Sequence, residues 1–265
     1  MDFLNVGDIA LHHRAIGLDG KKPVIAFVNS LGTDFRIWDG MIERLGPDFA
    51  YVLHDKRGHG LSSVGGDPFS IERHALDLLA LLDHLSVERA VIWGLSVGGL
   101  VAQAIAVKRP ERVGGLVLSN TGCKIGTAEN WNARISAIRS GGMDGMVDAI
   151  MERWFTPPFR APDNALYQGC RAMLARQPVE GYCGTCEAIR DADFTEAATR
   201  ISAPTLCIAG DNDLSTPAAL IRSLAGLVPG AAYAEIAACG HIPCIEQPDA
   251  CAAAARPFLT SLIEA

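Results

Sequence analysis

Ala90-Val91-Ile92-Trp93-Gly94-Leu95-Ser96-Val97-Gly98-Gly99-Leu100 is the stretch on which the fold turns. Its first four residues read as a buried strand. From Leu100 to Lys108 the apolar spacing is helical and stops before Pro110. Between strand and helix lies G-x-S-x-G. That pentapeptide is common by chance, but a strand before it and a helix after it are the context its chemistry requires. A sharp strand-to-helix turn exposes the serine hydroxyl, and the flanking glycines relieve crowding at the turn. The helix N-terminus behind it offers unpaired N–H groups and a positive dipole end. Ser96 is therefore a candidate nucleophile.

Outward from this stretch, short apolar runs alternate with amphipathic ones. Pro23–Val28 reads as a strand ending at Asn29-Ser30-Leu31-Gly32, and Phe49–Leu53 as another ending at His54-Asp55. Ile71–Leu85 has the spacing of a helix with Asp77 and Asp83 on its polar side. Gly115–Ser119 is a further strand. From Cys123 to Thr199 the pattern changes to helix-like pieces rich in Arg, Met, Trp and Cys, broken at Gly141-Gly142 and Thr156-Pro157-Pro158. Strand pattern resumes at Pro204–Ala209 and Ala232–Ile236, and a helix over Pro248–Ala265 closes the chain. Strands alternating with helices imply an α/β protein, with a mostly parallel central sheet covered on both faces. The helical block between two strands reads as a cap. The expected division is a core over 1–122, a helical cap over 123–199 and a second core part over 200–265.

Composition narrows the function. The chain has 265 residues, 49% of them hydrophobic and 20% charged, so it is globular and large enough to need no disulfide or metal staple. A net charge of −7, with no long run of Lys or Arg, argues against nucleic acid as a partner. No apolar run approaches the ~18 residues of a membrane span. The N-terminus lacks a basic start and an apolar run, so no secretory signal is expected, and a cytoplasmic setting with reduced thiols is. Eight cysteines are too few for a disulfide scaffold. Cys183-Gly184-Thr185-Cys186 has no second ligand pair and reads as packed thiols, so neither metal nor cofactor is expected. The sequence says nothing of oligomeric state.

A serine needs a base, and the base needs a third group to orient it. The order for this arrangement is Ser, then Asp or Glu, then His. Of seven histidines, only His241 lies in the right order and in a loop after a strand. Asp213 and Asp211 are both available as the acid. Asp213 is favoured, with Asp211 left to hydrogen-bond loop backbone. The oxyanion hole is expected from the backbone N–H groups of Val97, next to the nucleophile, and Leu31, in the loop after the Pro23–Val28 strand. Arg57 reads as structural, tying strand-end loops together.

Several of these stretches match one family. Asn29-Ser30-Leu31-Gly32-Thr33-Asp34, His54-Asp55-Lys56-Arg57-Gly58-His59-Gly60-Leu61-Ser62 and Gly94-Leu95-Ser96-Val97-Gly98-Gly99 resemble the α/β-hydrolase fold, and within it the 3-oxoadipate enol-lactonases. Trp131-Asn132-Ala133-Arg134-Ile135 and Glu152-Arg153-Trp154-Phe155-Thr156-Pro157 look like that family's cap segments, and Cys239-Gly240-His241-Ile242-Pro243-Cys244 like its histidine loop. The resemblance implies cofactor-free hydrolysis of 3-oxoadipate enol-lactone to 3-oxoadipate, in the β-ketoadipate pathway of aromatic catabolism. That small-molecule lactone carries a free carboxylate, which an acidic protein must meet with a local cation. Arg134 is the candidate, because a guanidinium pairs a carboxylate in bidentate fashion. Ser30, Trp131 and Trp154 are expected beside it at the substrate. The alternatives are another small-ester carboxylesterase or a carbon–carbon bond hydrolase of this fold, and a binding protein with vestigial catalysis. An intact Ser96, Asp213 and His241 set argues against the last.

Overall fold

The computed structural model describes residues 1–66 and 68–263. In chain order the elements are β1 (Asp2–Val6), β2 (Ile9–Ile16), β3 (Val24–Val28), α1 (Asp39–Leu45), β4 (Ala50–His54), α2 (Ile71–His84), β5 (Ala90–Leu95), α3 (Val97–Lys108) and β6 (Val113–Ser119). There follow α4 (Ala128–Gly141), α5 (Val147–Trp154), α6 (Ala165–Ala175), α7 (Val179–Asp191) and α8 (Thr195–Ala198). The chain then forms β7 (Thr205–Gly210), α9 (Ala218–Leu227), β8 (Ala232–Ile236), α10 (Pro243–Glu246) and α11 (Pro248–Ser261). Residues 264 and 265, which the sequence reading placed in the closing helix, lie outside the described residues.

The described strands form one eight-stranded sheet in the order β1-β2-β4-β3-β5-β6-β7-β8. β1 and β2 pair antiparallel, β2 pairs antiparallel with β4, and every pairing from β4 to β8 is parallel. The parallel strands β4, β5 and β7 are buried along their whole length, which is why they read as unbroken apolar runs. The helix α3 is buried over Val97–Ala106 and carries apolar residues all round. The helix α2 is amphipathic, with Ser70 capping its N-terminus by accepting from the Arg73 N–H. No helix among the described residues is long and apolar enough to cross a membrane.

Two sequence expectations are corrected here. The helix after the G-x-S-x-G turn begins at Val97 rather than Leu100, because Gly98 and Gly99 continue it despite their poor propensity. Asp77 is not on a solvated face. It is buried and takes a bidentate pair from Arg57, Nε to Oδ2 at 2.8 Å and Nη2 to Oδ1 at 3.0 Å. Asp83 is exposed and pairs with Arg112 at 2.7 Å.

The sheet order gathers the strand ends. β3 has β4 on one side and β5 on the other, and a crevice opens at the carboxyl ends where successive crossovers diverge. The loops after β4, β3, β5, β6, β7 and β8 follow one another across that edge. The loop after β3 is anchored by Asn29, whose Nδ2 donates to the His54 carbonyl at 3.2 Å and whose Oδ1 accepts from Trp38 Nε1 at 3.2 Å. Trp38 stacks on Phe27 with ring centroids 4.5 Å apart, so this loop is tied to the aromatic core.

Candidate active site

The turn between β5 and α3 is fixed from several sides. Ser96 has φ +58° and ψ −117°, a strained conformation for a residue with a side chain. Its N–H donates to the Ser119 carbonyl at 3.0 Å, and its own carbonyl accepts from Gly99 N–H at 2.8 Å and Thr121 Oγ1 at 2.7 Å. The glycines answer to close approach. A Cβ on Gly94 would overlap the Gly98 carbonyl, and one on Gly98 would overlap the Val28 carbonyl. No larger residue fits at either place without moving backbone.

His241 follows β8. Its Nδ1 lies 2.8 Å from Asp213 Oδ2, and both side chains are almost wholly buried. The Asp213 carboxylate is saturated with donors. Oδ2 also accepts from Thr216 Oγ1 at 2.6 Å and Asn120 Nδ2 at 2.9 Å, while Oδ1 accepts from the N–H groups of Ser215 at 2.7 Å and Thr216 at 3.0 Å. Burial by itself would raise this carboxyl's pKa. The charge and hydrogen bond of His241, then the bonds from Thr216 and Asn120, outweigh burial and hold it below the ordinary value. Asp213 is thus kept ionised against the ring. Asp211 is turned elsewhere: its Oδ1 accepts from Cys239 N–H at 3.1 Å and Asn212 Nδ2 at 2.6 Å.

The cap helices dock on the histidine loop. His241 N–H donates to the Trp154 carbonyl at 2.7 Å, and Glu246 accepts from both Gly240 N–H (2.7 Å) and Thr156 N–H (2.9 Å). These bonds account for the Trp154-Phe155-Thr156 segment, which fastens the end of α5 to the loop that carries the ring.

A cavity of about 460 Å³ lies between cap and sheet edge. Ser30, Leu31, Ser96 and His241 form its sheet side, and Trp131, Arg134 and Trp154 line its cap side. Seven of the nine residues singled out in the sequence therefore meet at one cavity. Asp213 and Val97 do not line it. Asp213 stands behind the ring, and Val97 is buried at the first turn of α3, where a helix N–H has no intrahelical acceptor.

Sequence reasoning missed three residues. Arg153 also lines the cavity and donates to the Leu214 carbonyl. Burial and then the nearby charge of Arg134 lower its pKa from the ordinary arginine value. Arg134 itself lies over the Trp131 ring, 5.0 Å from guanidinium carbon to centroid, and Trp131 Nε1 donates to the Ile125 carbonyl at 2.6 Å. Two like charges on one wall favour an anion between them. Asn120 and Thr216 are the others. Their positions, at the end of β6 and three residues after Asp213, were the available signal. Cys183 and Cys186 are buried thiols on α7, and burial raises both above the ordinary thiol pKa.

With this fold and site, the class is defined: the chain belongs to the α/β-hydrolase family, whose model, described as alpha/beta hydrolase fold, matches residues 23–157. It is similar to 3-oxoadipate enol-lactonase 2 of Acinetobacter baylyi, at 35% identity over 94% of this chain and 92% of that one. Among solved structures it is similar to the enol-lactonase from Burkholderia xenovorans LB400, with a TM-score of 0.94 and 36% identity over 98% of this chain and all of that one. It is also similar to a thermophilic esterase from Thermogutta terrifontis, described with malate bound, with a TM-score of 0.92 and 25% identity over 99% of both chains. The resemblance to enol-lactonases read from the sequence motifs is borne out, and the chain is a hydrolase of this fold.

Proposed function

We propose that this hydrolase opens 3-oxoadipate enol-lactone to 3-oxoadipate through an acyl-enzyme on Ser96, and that it serves the β-ketoadipate route of aromatic catabolism. The observation that carries the reading is the cavity itself: Ser96 and His241 on one side, Arg134 and Arg153 on the other, in a protein of net charge −7. Such a wall in an acidic protein suits a small ester bearing a carboxylate. The enol-lactonase relatives support this substrate, and the esterase described with malate, a dicarboxylate, supports an anionic ligand.

In this mechanism His241 takes the Ser96 proton while Oγ attacks the lactone carbonyl. Asp213 holds the ring with Nδ1 toward itself and stabilises the imidazolium that forms. The N–H groups of Val97 and Leu31 receive the developing oxyanion. Collapse breaks the ring C–O bond, His241 protonates the departing enolate oxygen, and the enol relaxes to the ketone. An enolate leaves more readily than an alkoxide, so the step demands less than amide cleavage. Water, activated by the same ring, then releases the acyl group. Arg134 and Arg153 hold the remote carboxylate, and Trp131, Trp154 and Ser30 shape the space between.

Two readouts test this. A fluorophosphonate should label the wild type at Ser96 and leave Ser96→Ala unlabelled. Freshly generated enol-lactone, followed by ultraviolet absorbance, should be hydrolysed by the wild type alone. Labelling at another residue, or turnover by Ser96→Ala, overturns the nucleophile. Labelling at Ser96 without lactone turnover overturns the substrate.

A further inference from the structure

The strand end beside the oxyanion loop carries a lysine whose burial demands a reason. Lys56 stands two residues after the end of β4 and is only 1% exposed. Among the described residues its side chain's one hydrogen bond runs from Nζ to the carbonyl of Ser30, at 2.9 Å. The neighbouring carboxylates are occupied by others. Asp55 accepts from His12 Nδ1 and from the N–H groups of Phe35 and Leu61, and Asp34 accepts from Arg36. Burial pushes the Lys56 pKa down to about 7, opposed by the charges of Asp55 and Asp34. Either protonation state retains an N–H for the Ser30 carbonyl. Burying an amine in place of a methionine costs solvation and adds no packing, so its use lies in that one bond.

The bond fixes a peptide plane. In a trans peptide the N–H points opposite to the C=O before it. Thr33 Oγ1 donates to the same Ser30 carbonyl at 2.9 Å. The Thr33 N–H also donates to it, at 3.4 Å, so three donors draw this oxygen into the interior, and the N–H of Leu31 faces the other way. Ser30 and Leu31 line the cavity there, and among the described residues the Leu31 N–H has no acceptor. A carbonyl that already accepts strongly makes its own N–H a better donor.

We propose that Lys56 is a positioning residue of the oxyanion hole: by holding the Ser30 carbonyl it sets the Ser30–Leu31 peptide so that the Leu31 N–H meets the substrate oxyanion. This rests on the reading of Leu31 as an oxyanion donor, and the test separates the two. Lys56→Met keeps the volume and removes the donor. It should lower kcat by roughly 10- to 100-fold, short of or equal to the loss of a whole donor, with KM kept within about threefold. Affinity for a trifluoromethyl ketone that forms a tetrahedral adduct on Ser96 should fall by the same factor as kcat/KM. Affinity for 3-oxoadipate should not change, and the melting temperature should hold or rise. Replacing the Leu31 amide by an ester removes the N–H, at the same time weakening the Ser30 carbonyl as an acceptor, and should slow kcat at least as much. Should Lys56→Met fail to fold, Thr33→Val removes the other side-chain donor to the same carbonyl, leaving the backbone N–H of residue 33, and should lower kcat by a few-fold in the same pattern. If the ester at 31 slows the enzyme and Lys56→Met (or Thr33→Val in its place) does not, the role of Lys56 falls and the donor stands. If neither slows it, the Leu31 donor falls and the proposal with it. If Lys56→Met changes only stability or KM, the residue is structural and the proposal is overturned.

Discussion

Asp213→Asn probes the site where its electrostatics are most concentrated. The carboxylate receives five donors, and an amide has one acceptor oxygen to offer them. With that oxygen toward His241, Thr216 and Asn120, the NH2 faces the backbone N–H groups of Ser215 and Thr216. With the amide flipped, the NH2 faces His241 Nδ1 and forces the wrong tautomer. Either way at least two hydrogen bonds are lost, at roughly 1–3 kcal/mol each, so the folded state should lose about 2–6 kcal/mol. The kinetic loss comes from charge. A carboxylate about 4 Å from the centre of an imidazolium is worth about 4 kcal/mol at the effective dielectric of ~20, which is about three decades in rate. In serine proteases the equivalent change costs ~10⁴ in kcat. The expected result is a kcat lower by ~10³–10⁴ with KM within a few-fold, measured by initial rates on the enol-lactone and on p-nitrophenyl acetate beside a circular-dichroism melt. A folded variant within tenfold of the wild type would refute the reasoning, because the ring would then need no ionised partner.

Three further outcomes follow from other parts of the structure. Arg134→Ala and Arg153→Ala should each lower kcat/KM for the carboxylate-bearing lactone by about 10- to 100-fold, the worth of a charge-assisted hydrogen bond. p-Nitrophenyl acetate turnover should stay near wild type, and an equal loss on both substrates would mean that the arginines are structural. Gly98→Ala places a methyl group against the Val28 carbonyl and should cost about 1–3 kcal/mol in urea denaturation together with a fall in kcat; a neutral result would mean that the turn at Ser96 is less confined than it stands here. Stability should also fall with pH below about 6.5. Burial, and then the charge of Lys56, lowers the pKa of His54 to about 3 and those of His59 and His74 well below the ordinary value. The unfolded chain binds protons at these rings near pH 6.5 and the folded one does not, so their contribution is full above that pH and is lost as pH falls toward the folded values. Each uncompensated proton is worth about 1.4 kcal/mol per pH unit, so the three should remove about 3–4 kcal/mol between pH 7 and 5.5. Equal urea midpoints at the two pH values would show that these rings are already protonated in the fold.

Which parts of this were legible beforehand follows from the range of the forces involved. The turn at Ser96 is local, so glycine chemistry and the flanking strand and helix sufficed to read it. Strands buried on both faces announce themselves as apolar runs. β1 is an edge strand with mixed exposure and leaves no such mark. The helix α3 was read three residues short because Gly98 and Gly99 serve the close packing against Val28 and Thr121 rather than helix propensity. Asp77 was misplaced for a different reason. Periodicity finds the apolar face of α2, but its partner Arg57 arrives from a loop that the helix's own sequence does not reveal. Arg153 sits within a motif already singled out beside Trp154. Which way it points depends on how α5 docks on the histidine loop, through bonds between residues 85 or more apart in sequence. Asn120 and Thr216 bear on Asp213 and on the histidine loop, and those contacts likewise exist only once β6 and β7 lie side by side.

The central claim is that this cavity selects an enol-lactone by its carboxylate and opens it on Ser96. It is tested most directly by comparing kcat/KM for 3-oxoadipate enol-lactone with that for its neutral methyl ester, beside Ser96→Ala. The account predicts efficient turnover of the acid, in the ~10⁴–10⁸ M⁻¹s⁻¹ range of effective enzymes, a preference over the ester of about 10-fold or more, and no turnover by the variant. Equal rates on acid and ester, or turnover of simple esters alone, would contradict it.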